Sequence, residues 1–253
     1  MASKFSFIYK TAFFMVASLV LSGACNNSQV RQKPDNAAGL KTTSYSFKTP
    51  HPDGIGKVYM GREIAGIMGS GGGSWLDRDT RQAEEDVTAA IARMPLSPAS
   101  VVADIGAGTG YYSFRIAPRV PQGKVWAVEV QQEFIAALKK QKADLGLNQV
   151  AVVQGSSSSP NLPEAAIDLA IMVDVYHELE FPQEMLQAIH RALKPEGKLL
   201  LLEYRAEDPA IPIKALHKMS AAQVNKELGA NGFALVKQEG FLPIQHFLLF
   251  EKK

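Results

Sequence analysis

The stretch from Val101 to Gly110 constrains the fold of this 253-residue chain more than any other part of it. It reads V-V-A-D-I-G-A-G-T-G, a short apolar run that ends in an acid and continues into three glycines at alternate positions. Such a run predicts a buried strand that leads into a tight turn, because glycine allows backbone conformations and ligand approaches that a side chain would block. The pattern indicates a nucleotide-binding turn, with adenosine compounds as the first candidates.

The order of residues in this turn separates two kinds of nucleotide site. A dinucleotide-binding turn has the pattern G-x-G-x-x-G/A, in which the last small residue lets a helix pack closely against a strand. In this chain that last position holds Tyr111, which argues against a dinucleotide. The pattern acid-x-G-x-G-x-G, from Asp104 to Gly110, instead resembles motif I of the class I S-adenosylmethionine-dependent methyltransferases.

A second motif supports the same resemblance. Residues Leu193–Lys198 read L-K-P-E-G-K and precede an apolar run that ends at Glu203. Proline and glycine end a predicted helix here and turn the chain into a fully apolar strand. The resemblance covers about residues 68–253. It implies an α/β fold with a doubly wound, seven-stranded, mostly parallel Rossmann-like sheet of order 3-2-1-4-5-7-6, an antiparallel seventh strand, and an N-terminal helical cap.

The resemblance also implies S-adenosyl-L-methionine as the cofactor. Glu129 ends the second predicted strand about 20 residues beyond the glycine turn, where a carboxylate can accept hydrogen bonds from both ribose hydroxyls. A solvated acid at the strand end is the alternative. The residues predicted to bind the cofactor are Asp104, Gly106, Ala107, Gly108, Thr109, Gly110, Glu129, Val130, Gly155, Ser156 and Asp174.

The candidate catalytic residues follow the fourth predicted strand, residues 166–173. Ligands meet at the carboxyl ends of central parallel strands in open α/β sheets, and Tyr176, His177 and Glu178 lie at this end. A histidine with a near-neutral pKa can accept a proton from an incoming nucleophile. The alternative is that His177 only caps the next helix. Because position 181 holds Phe181, the H-E-x-x-H zinc pattern is absent, and we predict no metal.

Three further histidines lie downstream of these residues. His217, just before a predicted capped helix, either faces the site or is a surface or packing histidine, and we favour the second interpretation. His190 and His246 lie within a predicted helix and a predicted strand and give no signal of a site.

The chain begins with a pattern typical of a secretory signal peptide. Lys4 and Lys10 precede an apolar run that ends near Ala24, and this run is shorter than the roughly 20 residues of a membrane span. The residues before Cys25 resemble a lipobox, although the usual leucine stands one position too early. We expect an exported protein, either periplasmic or anchored in the membrane through lipidated Cys25. The alternative is an uncleaved anchor with the domain facing the cytoplasm.

The segment between the leader and the glycine turn is polar at first, and its later part has apolar residues at helical spacing. Prolines and glycines without an apolar period indicate a tether, and the glycine cluster at 69–73 lacks the Gly-Lys-Ser/Thr ending of a phosphate loop, which favours a hinge. A helix is predicted over about 79–93. We therefore divide the chain into a signal peptide with a lipobox-like end (1–25), a flexible linker (26–57), an N-terminal helical cap or lid (58–95) and a methyltransferase domain (96–253).

Composition limits the partners of the chain. Without the two leader lysines, 25 basic residues balance 25 acidic ones, and this balance argues against nucleic acid. The single cysteine excludes a disulfide within the chain and a cysteine-based zinc site. We predict in-line methyl transfer to a small or lipid-like molecule. The alternative is a non-catalytic exported lipoprotein that uses the fold to bind an adenosine ligand, because S-adenosylmethionine is made in the cytosol.

Overall fold

The computed structural model describes residues 45–253, and a seven-stranded sheet forms the centre of this part of the chain. In chain order its strands are β4 (Val101–Ile105), β5 (Lys124–Glu129), β6 (Val150–Gln154), β7 (Ile167–Val173), β8 (Leu193–Tyr204), β9 (Phe233–Glu239) and β10 (Gln245–Lys252). Across the sheet their order is β6-β5-β4-β7-β8-β10-β9, and β10 runs antiparallel to both of its neighbours. The predicted doubly wound, mostly parallel sheet and its strand order are confirmed.

Apolar residues on both faces of the central strands explain why this sheet lies between two helical layers. Neighbouring residues of β4, Val102 and Ala103, belong to different core clusters on opposite faces of the sheet. The four consecutive leucines of β8, residues 199–202, alternate between the same two clusters and are completely buried. A strand that is apolar on both faces requires cover on both, which is the arrangement of a parallel α/β sheet.

The helices are short near the glycine turn and longer elsewhere. The helix after this turn, α4 (Ser113–Ile116), has four residues, because Gly106, Gly108 and Gly110 all have positive φ and hold the preceding segment in a turn. In chain order the helices are α1 (Gly73–Leu76), α2 (Arg81–Glu85), α3 (Val87–Arg93), α4 (Ser113–Ile116), α5 (Gln132–Asp144), α6 (Pro182–Ala192) and α7 (Ala221–Ala230).

The N-terminal part of the described chain contains a small sheet that the sequence analysis missed. Strands β1 (Tyr45–Phe47), β2 (Gly54–Tyr59) and β3 (Arg62–Ala65) form an antiparallel sheet in that order. The prediction of a flexible linker is therefore wrong for residues 45–57. The Oε1 atom of Glu63 accepts hydrogen bonds from the backbone N–H groups of His51 and Gly56, so that polar atoms order this proline- and glycine-rich loop.

The predicted helical cap also differs in detail from the structure. Its first residues are strands, and the helix predicted over about 79–93 is divided into α2 and α3 at Asp86, whose φ is 49°. The Asp86 carboxylate accepts a hydrogen bond from the backbone N–H of Ala89 and so caps α3. A side-chain cap of this kind lets a new helix begin directly after a break.

The predicted leader, Cys25 and the first part of the predicted linker lie outside the described residues. Within residues 45–253, no helix has both the length and the apolar character that are needed to cross a bilayer.

Candidate active site

A cavity of about 940 Å³ lies at the carboxyl ends of β4, β5 and β7, and the N-terminal sheet contributes to its wall. The structure brings most of the predicted site residues together around it. Those that line the cavity are Asp104, Gly106, Ala107, Gly108, Thr109, Glu129, Val130, Ser156, Asp174, His177 and Glu178. Three predicted residues lie outside this lining: Gly110, Gly155 and Tyr176.

The glycine turn forms a cradle in which side chains would not fit. Gly106 has a φ of 74°, and a Cβ there would lie 2.7 Å from a methyl carbon of Val175. Gly108 has a φ of 54°, and its Cβ would lie 2.8 Å from Leu76 of α1. The hydroxyl of Thr109 donates to Asp77 at 2.8 Å, which joins the turn to the segment after α1. The turn therefore brings bare backbone to the cavity wall.

Gly110 and Gly155 have a packing role. A Cβ on Gly110 would lie 2.3 Å from the ring of Phe114, behind the turn. The N–H of Gly155 donates to the carbonyl of Glu129 at 2.9 Å. Neither glycine lines the cavity, and their contact with the cofactor stays a prediction.

The carboxylate of Glu129 is fixed by the backbone around it. It is 4% exposed, and its Oε2 accepts from the N–H of Gly108 at 2.9 Å. Its Oε1 accepts from the N–H groups of Val130 and Gln131 at 2.7 and 3.0 Å. A carboxylate has about four acceptor positions, so that one remains for a ligand hydroxyl at the cavity wall without displacing these amides.

Asp104 is the penultimate residue of β4, just before the turn. Its Oδ2 accepts from the hydroxyl of Ser113 at 2.7 Å. Complete burial raises the pKa of the Asp104 carboxyl to about 6, although the hydrogen bond from Ser113 opposes this effect. Asp104 thus holds the turn against α4 and is partly protonated near neutral pH.

Two residues that line the cavity, Asp174 and Tyr112, each have a buried polar atom without a hydrogen-bond partner among residues 45–253: Oδ1 of Asp174 and the hydroxyl of Tyr112. The other oxygen of Asp174 accepts from the side-chain amide of Gln245 at 2.7 Å. Burial and the nearby carboxylate of Glu85 raise the pKa of Asp174. Orphaned polar atoms are costly in a folded protein unless a ligand satisfies them. A ligand with an ammonium or carboxylate group, as in the amino-acid part of S-adenosylmethionine, fits these atoms.

His177 lies in a turn of 3₁₀ helix after β7, and its Nδ1 donates to Oε2 of Glu203 at 2.6 Å. Burial lowers the pKa of His177, but the carboxylates of Glu203 and Glu178 outweigh burial and raise this pKa to about 10. An imidazolium cannot accept a proton, so a base role requires that His177 first lose its proton. That role stays a prediction.

Glu178 lies between two histidines. Its Oε1 is 3.7 Å from Nε2 of His177 and 3.2 Å from Nδ1 of His217, while its Oε2 accepts from the N–H of Met68 at 3.2 Å. Burial raises the pKa of Glu178, but the two histidines outweigh it and lower the pKa to about 2. Since His217 lines the cavity, its favoured interpretation as a surface or packing histidine is wrong.

Tyr176 is turned away from the cavity. Its side chain is completely buried, and its hydroxyl donates to Oε2 of Glu227 at 2.7 Å. Arg62 of β3 donates to the other oxygen of Glu227 at 2.8 Å and to the carbonyl of His177 at 3.1 Å. The predicted catalytic role of Tyr176 is therefore corrected to a structural one, in which it helps to anchor the turn that carries His177.

Two residues that support the site, Glu203 and Arg62, were not among the predicted site residues. The position of Glu203 could have indicated it, since it is an acid at the carboxyl end of a buried parallel strand, as are Asp104 and Glu129. Arg62 had no such signal, because its partner Glu227 lies 165 residues away in the sequence.

Comparison with known proteins agrees with this geometry. Residues 103–199 match the family model of a methyltransferase domain. The demethylmenaquinone methyltransferase of Oceanobacillus iheyensis is 27% identical over 114 residues, which are 45% of this chain and 48% of that protein. A ubiquinone/menaquinone biosynthesis C-methyltransferase of Syntrophotalea carbinolica is 29% identical over 143 residues, which are 56% of this chain and 59% of that protein. The matches thus span about half the length of these relatives.

Two solved structures illustrate the range of the fold. A SAM-dependent methyltransferase from Aquifex aeolicus has a TM-score of 0.69 at 23% identity, covering 73% of this chain and 98% of that one. The [4+2]-cyclase SpnF has a TM-score of 0.54 at 24% identity, covering 60% of this chain and 57% of that one. At these identities the likeness concerns fold and not reaction. The chain thus has the class I methyltransferase fold, and residues 103–199 match the methyltransferase domain of that fold.

Proposed function

We propose that this protein is an S-adenosylmethionine-dependent methyltransferase that acts on a small, largely apolar or lipid-like acceptor. One observation carries the proposal: a single cavity is lined by the glycine turn, by Glu129, and by His177 and Glu178. Its volume of about 940 Å³ lies at the upper end of the range for ligand sites, so that two reactants can share it.

The glycine turn, Glu129 and Asp174 form the part of the cavity that we assign to the cofactor. When bound, S-adenosylmethionine supplies an electrophilic methyl group on a sulfonium. The backbone of Gly106 and Gly108 allows close approach, the remaining acceptor position of Glu129 takes a hydrogen bond from one ribose hydroxyl, and Asp174 accepts from the ammonium group. Holding two reactants in line is the main task in such a transfer and can contribute roughly 7 to 11 kcal/mol.

The acceptor part is indicated by exposed apolar residues at the cavity. Phe47, Ile55 and Ile67 line it while they remain 77%, 40% and 58% exposed. Exposed apolar side chains that gather at one opening mark a site for an apolar ligand. The names of the two relatives refer to demethylmenaquinone and to ubiquinone/menaquinone biosynthesis, and they also favour an aromatic, lipid-like acceptor.

A labelling experiment tests this proposal. The purified full chain is incubated with S-adenosylmethionine carrying a labelled methyl group and with a total lipid and metabolite extract. We expect label in the organic phase with the wild type and with Glu133→Gln, which changes an exposed acid of α5, but much less with Glu129→Gln. Binding of S-adenosylhomocysteine without label in any fraction would contradict the proposal and favour the non-catalytic binding module.

The leader supports a proposal about location. We propose that residues 1–25 direct export and that Cys25 is lipidated. Protease added to intact spheroplasts should digest the protein, and Cys25→Ser should remove the incorporation of labelled palmitate. Protection from protease until the cells are lysed would instead support an uncleaved anchor with the domain in the cytoplasm.

A further inference from the structure

We propose that His177, Glu178 and His217 form a binding site for a divalent transition-metal ion. One ligand atom from each residue, two imidazole nitrogens and a carboxylate oxygen, lies within 4.8 Å of the other two. Two imidazoles and one carboxylate are a donor set that suits Zn²⁺, Fe²⁺ and related ions.

The distances in the cluster are close to those that a metal requires. Two donors that are each about 2.1 Å from a tetrahedral ion lie about 3.4 Å apart. Oε1 of Glu178 is 3.2 Å from Nδ1 of His217 and 3.7 Å from Nε2 of His177. Small side-chain rotations would therefore bring all three donors to bonding distance of one ion.

Glu203 supplies an independent argument, because it orients one of the histidines. It accepts from Nδ1 of His177, which fixes the ring and leaves Nε2 directed at Glu178. Histidines that bind metals almost always donate their second ring N–H to a carboxylate or carbonyl in this way. Glu203 is completely buried and also accepts from the N–H of Tyr176, so it is itself firmly held.

The charges of the cluster also suit a divalent ion. The carboxylates of Glu178 and Glu203 carry two negative charges beside His177 in a largely buried place, and an ion bound at Nε2 of His177 would replace the proton of the imidazolium. A divalent cation would balance both charges. Buried carboxylates are costly unless they are paired or coordinate a metal.

The site is open on the side where chemistry would occur. All three proposed ligands line the cavity. A three-ligand site leaves positions for water or substrate, as in catalytic metal centres. Resting on the proposed function, we infer that the ion binds a hydroxyl oxygen of the acceptor and lowers its pKa. The proton passes to water, the oxygen takes the methyl group, and the sulfonium leaves as a neutral thioether.

Cobalt titration tests the metal site without any methyl transfer. The full chain, freed of metal by a chelator, is titrated with Co²⁺, whose visible d–d absorption reports protein ligands, and the bound ion is then displaced with Zn²⁺. We expect one ion per chain in the wild type and in His190→Gln, a control in α6 outside the cavity lining. His217→Gln should weaken binding at least about tenfold, since even the loss of an outer-shell partner costs 10- to 100-fold.

A second variant protects the test against misfolding. Glu178→Gln should weaken Co²⁺ binding at least as strongly as His217→Gln, and circular dichroism identifies a variant that has lost its fold. Absence of a Co²⁺ band in the wild type, or equal affinity in the wild type and a folded ligand variant, would overturn the proposal. Calorimetry with S-adenosylhomocysteine on the same samples separates the two claims, because cofactor binding without metal binding would overturn the metal site alone.

Discussion

The imidazole of His177 donates from Nδ1 to Oε2 of Glu203 across 2.6 Å, and both side chains are almost completely buried. Glu203 lies near the end of β8, while His177 follows β7, the neighbouring parallel strand. The other oxygen of Glu203 accepts from the N–H groups of Val175 and Tyr176. One carboxylate of the adjacent strand thus determines where the turn after β7 places its side chains.

Arg62 connects the N-terminal sheet to this turn, and its loss should be strongly destabilising. Arg62→Met removes the hydrogen bond to the carbonyl of His177 and leaves Glu227 buried without its cation. We expect the free energy of unfolding, measured in urea, to fall by about 3 to 5 kcal/mol. Arg191→Met, at a 58% exposed side chain, is the control and should change it by less than about 1 kcal/mol. Equal losses in the two variants would contradict the anchoring role.

The glycine turn should tolerate no side chain at Gly106. Gly106→Ala places a Cβ at a φ of 74° and 2.7 Å from Val175. We expect a loss of at least about 1 to 2 kcal/mol in stability from the left-handed backbone alone, together with weaker binding of S-adenosylhomocysteine. Gly71→Ala, where no atom lies within 4 Å of the added Cβ, should leave both properties close to wild type. Unchanged affinity in Gly106→Ala would argue against the cradle.

Asp104 should make stability depend on pH in a defined direction. Its folded pKa of about 6 exceeds the ordinary value of 3.8, so its contribution to stability is present below about pH 4 and is lost as the pH rises through 6. Asp104→Asn cannot ionise. Relative to the wild type, this variant should therefore gain roughly 3 kcal/mol in unfolding free energy between pH 4 and pH 7. Urea unfolding at several pH values measures the difference, and a pH-independent difference would contradict the raised pKa.

The exposed apolar residues that line the cavity, Phe47, Ile55 and Ile67, form an apolar entrance. Changing one of them should weaken binding of the acceptor without weakening binding of the cofactor. Ile67→Ser removes an exposed apolar side chain that lines the cavity. We expect the rate of label transfer at low acceptor concentration to fall about fivefold, corresponding to about 1 kcal/mol of lost apolar contact, while the affinity for S-adenosylhomocysteine stays unchanged. Leu145→Ser, at a 53% exposed leucine after α5, should have neither effect. An equal fall in the rate of label transfer in both variants would contradict a role of the apolar entrance in acceptor binding.

Local sequence was sufficient to predict strands β4, β5 and β8 and the glycine turn, whereas the strand order followed from the family resemblance. The residues from Val101 to Gly110 predict a strand followed directly by a turn. Glu129 was likewise predicted from its position at the end of the next strand. Each of these signals is complete within about ten residues. The four leucines at 199–202 likewise predict the apolar part of β8 by their character alone, although the strand itself begins at Leu193.

The N-terminal sheet and the part of the cavity around His177 and His217 depend on contacts between distant residues. These parts could not be predicted from local sequence. β1 to β3 are short and lie among prolines and glycines, so that their periodicity is too weak to indicate strands. His217 reaches Glu178 across 39 positions, and Arg62 reaches Glu227 across 165. Such pairings are set by tertiary packing and leave no local pattern.

Calorimetric titration of the full chain with S-adenosylhomocysteine tests the central claim most directly, because binding requires only the glycine turn, Glu129 and the orphaned polar atoms of the cavity. We predict saturable binding to the wild type and to Glu133→Gln, and about 10- to 100-fold weaker binding to Glu129→Gln, which loses a charge-assisted hydrogen bond to the ribose. Absence of binding to the wild type, or equal affinity in Glu129→Gln, would contradict the account.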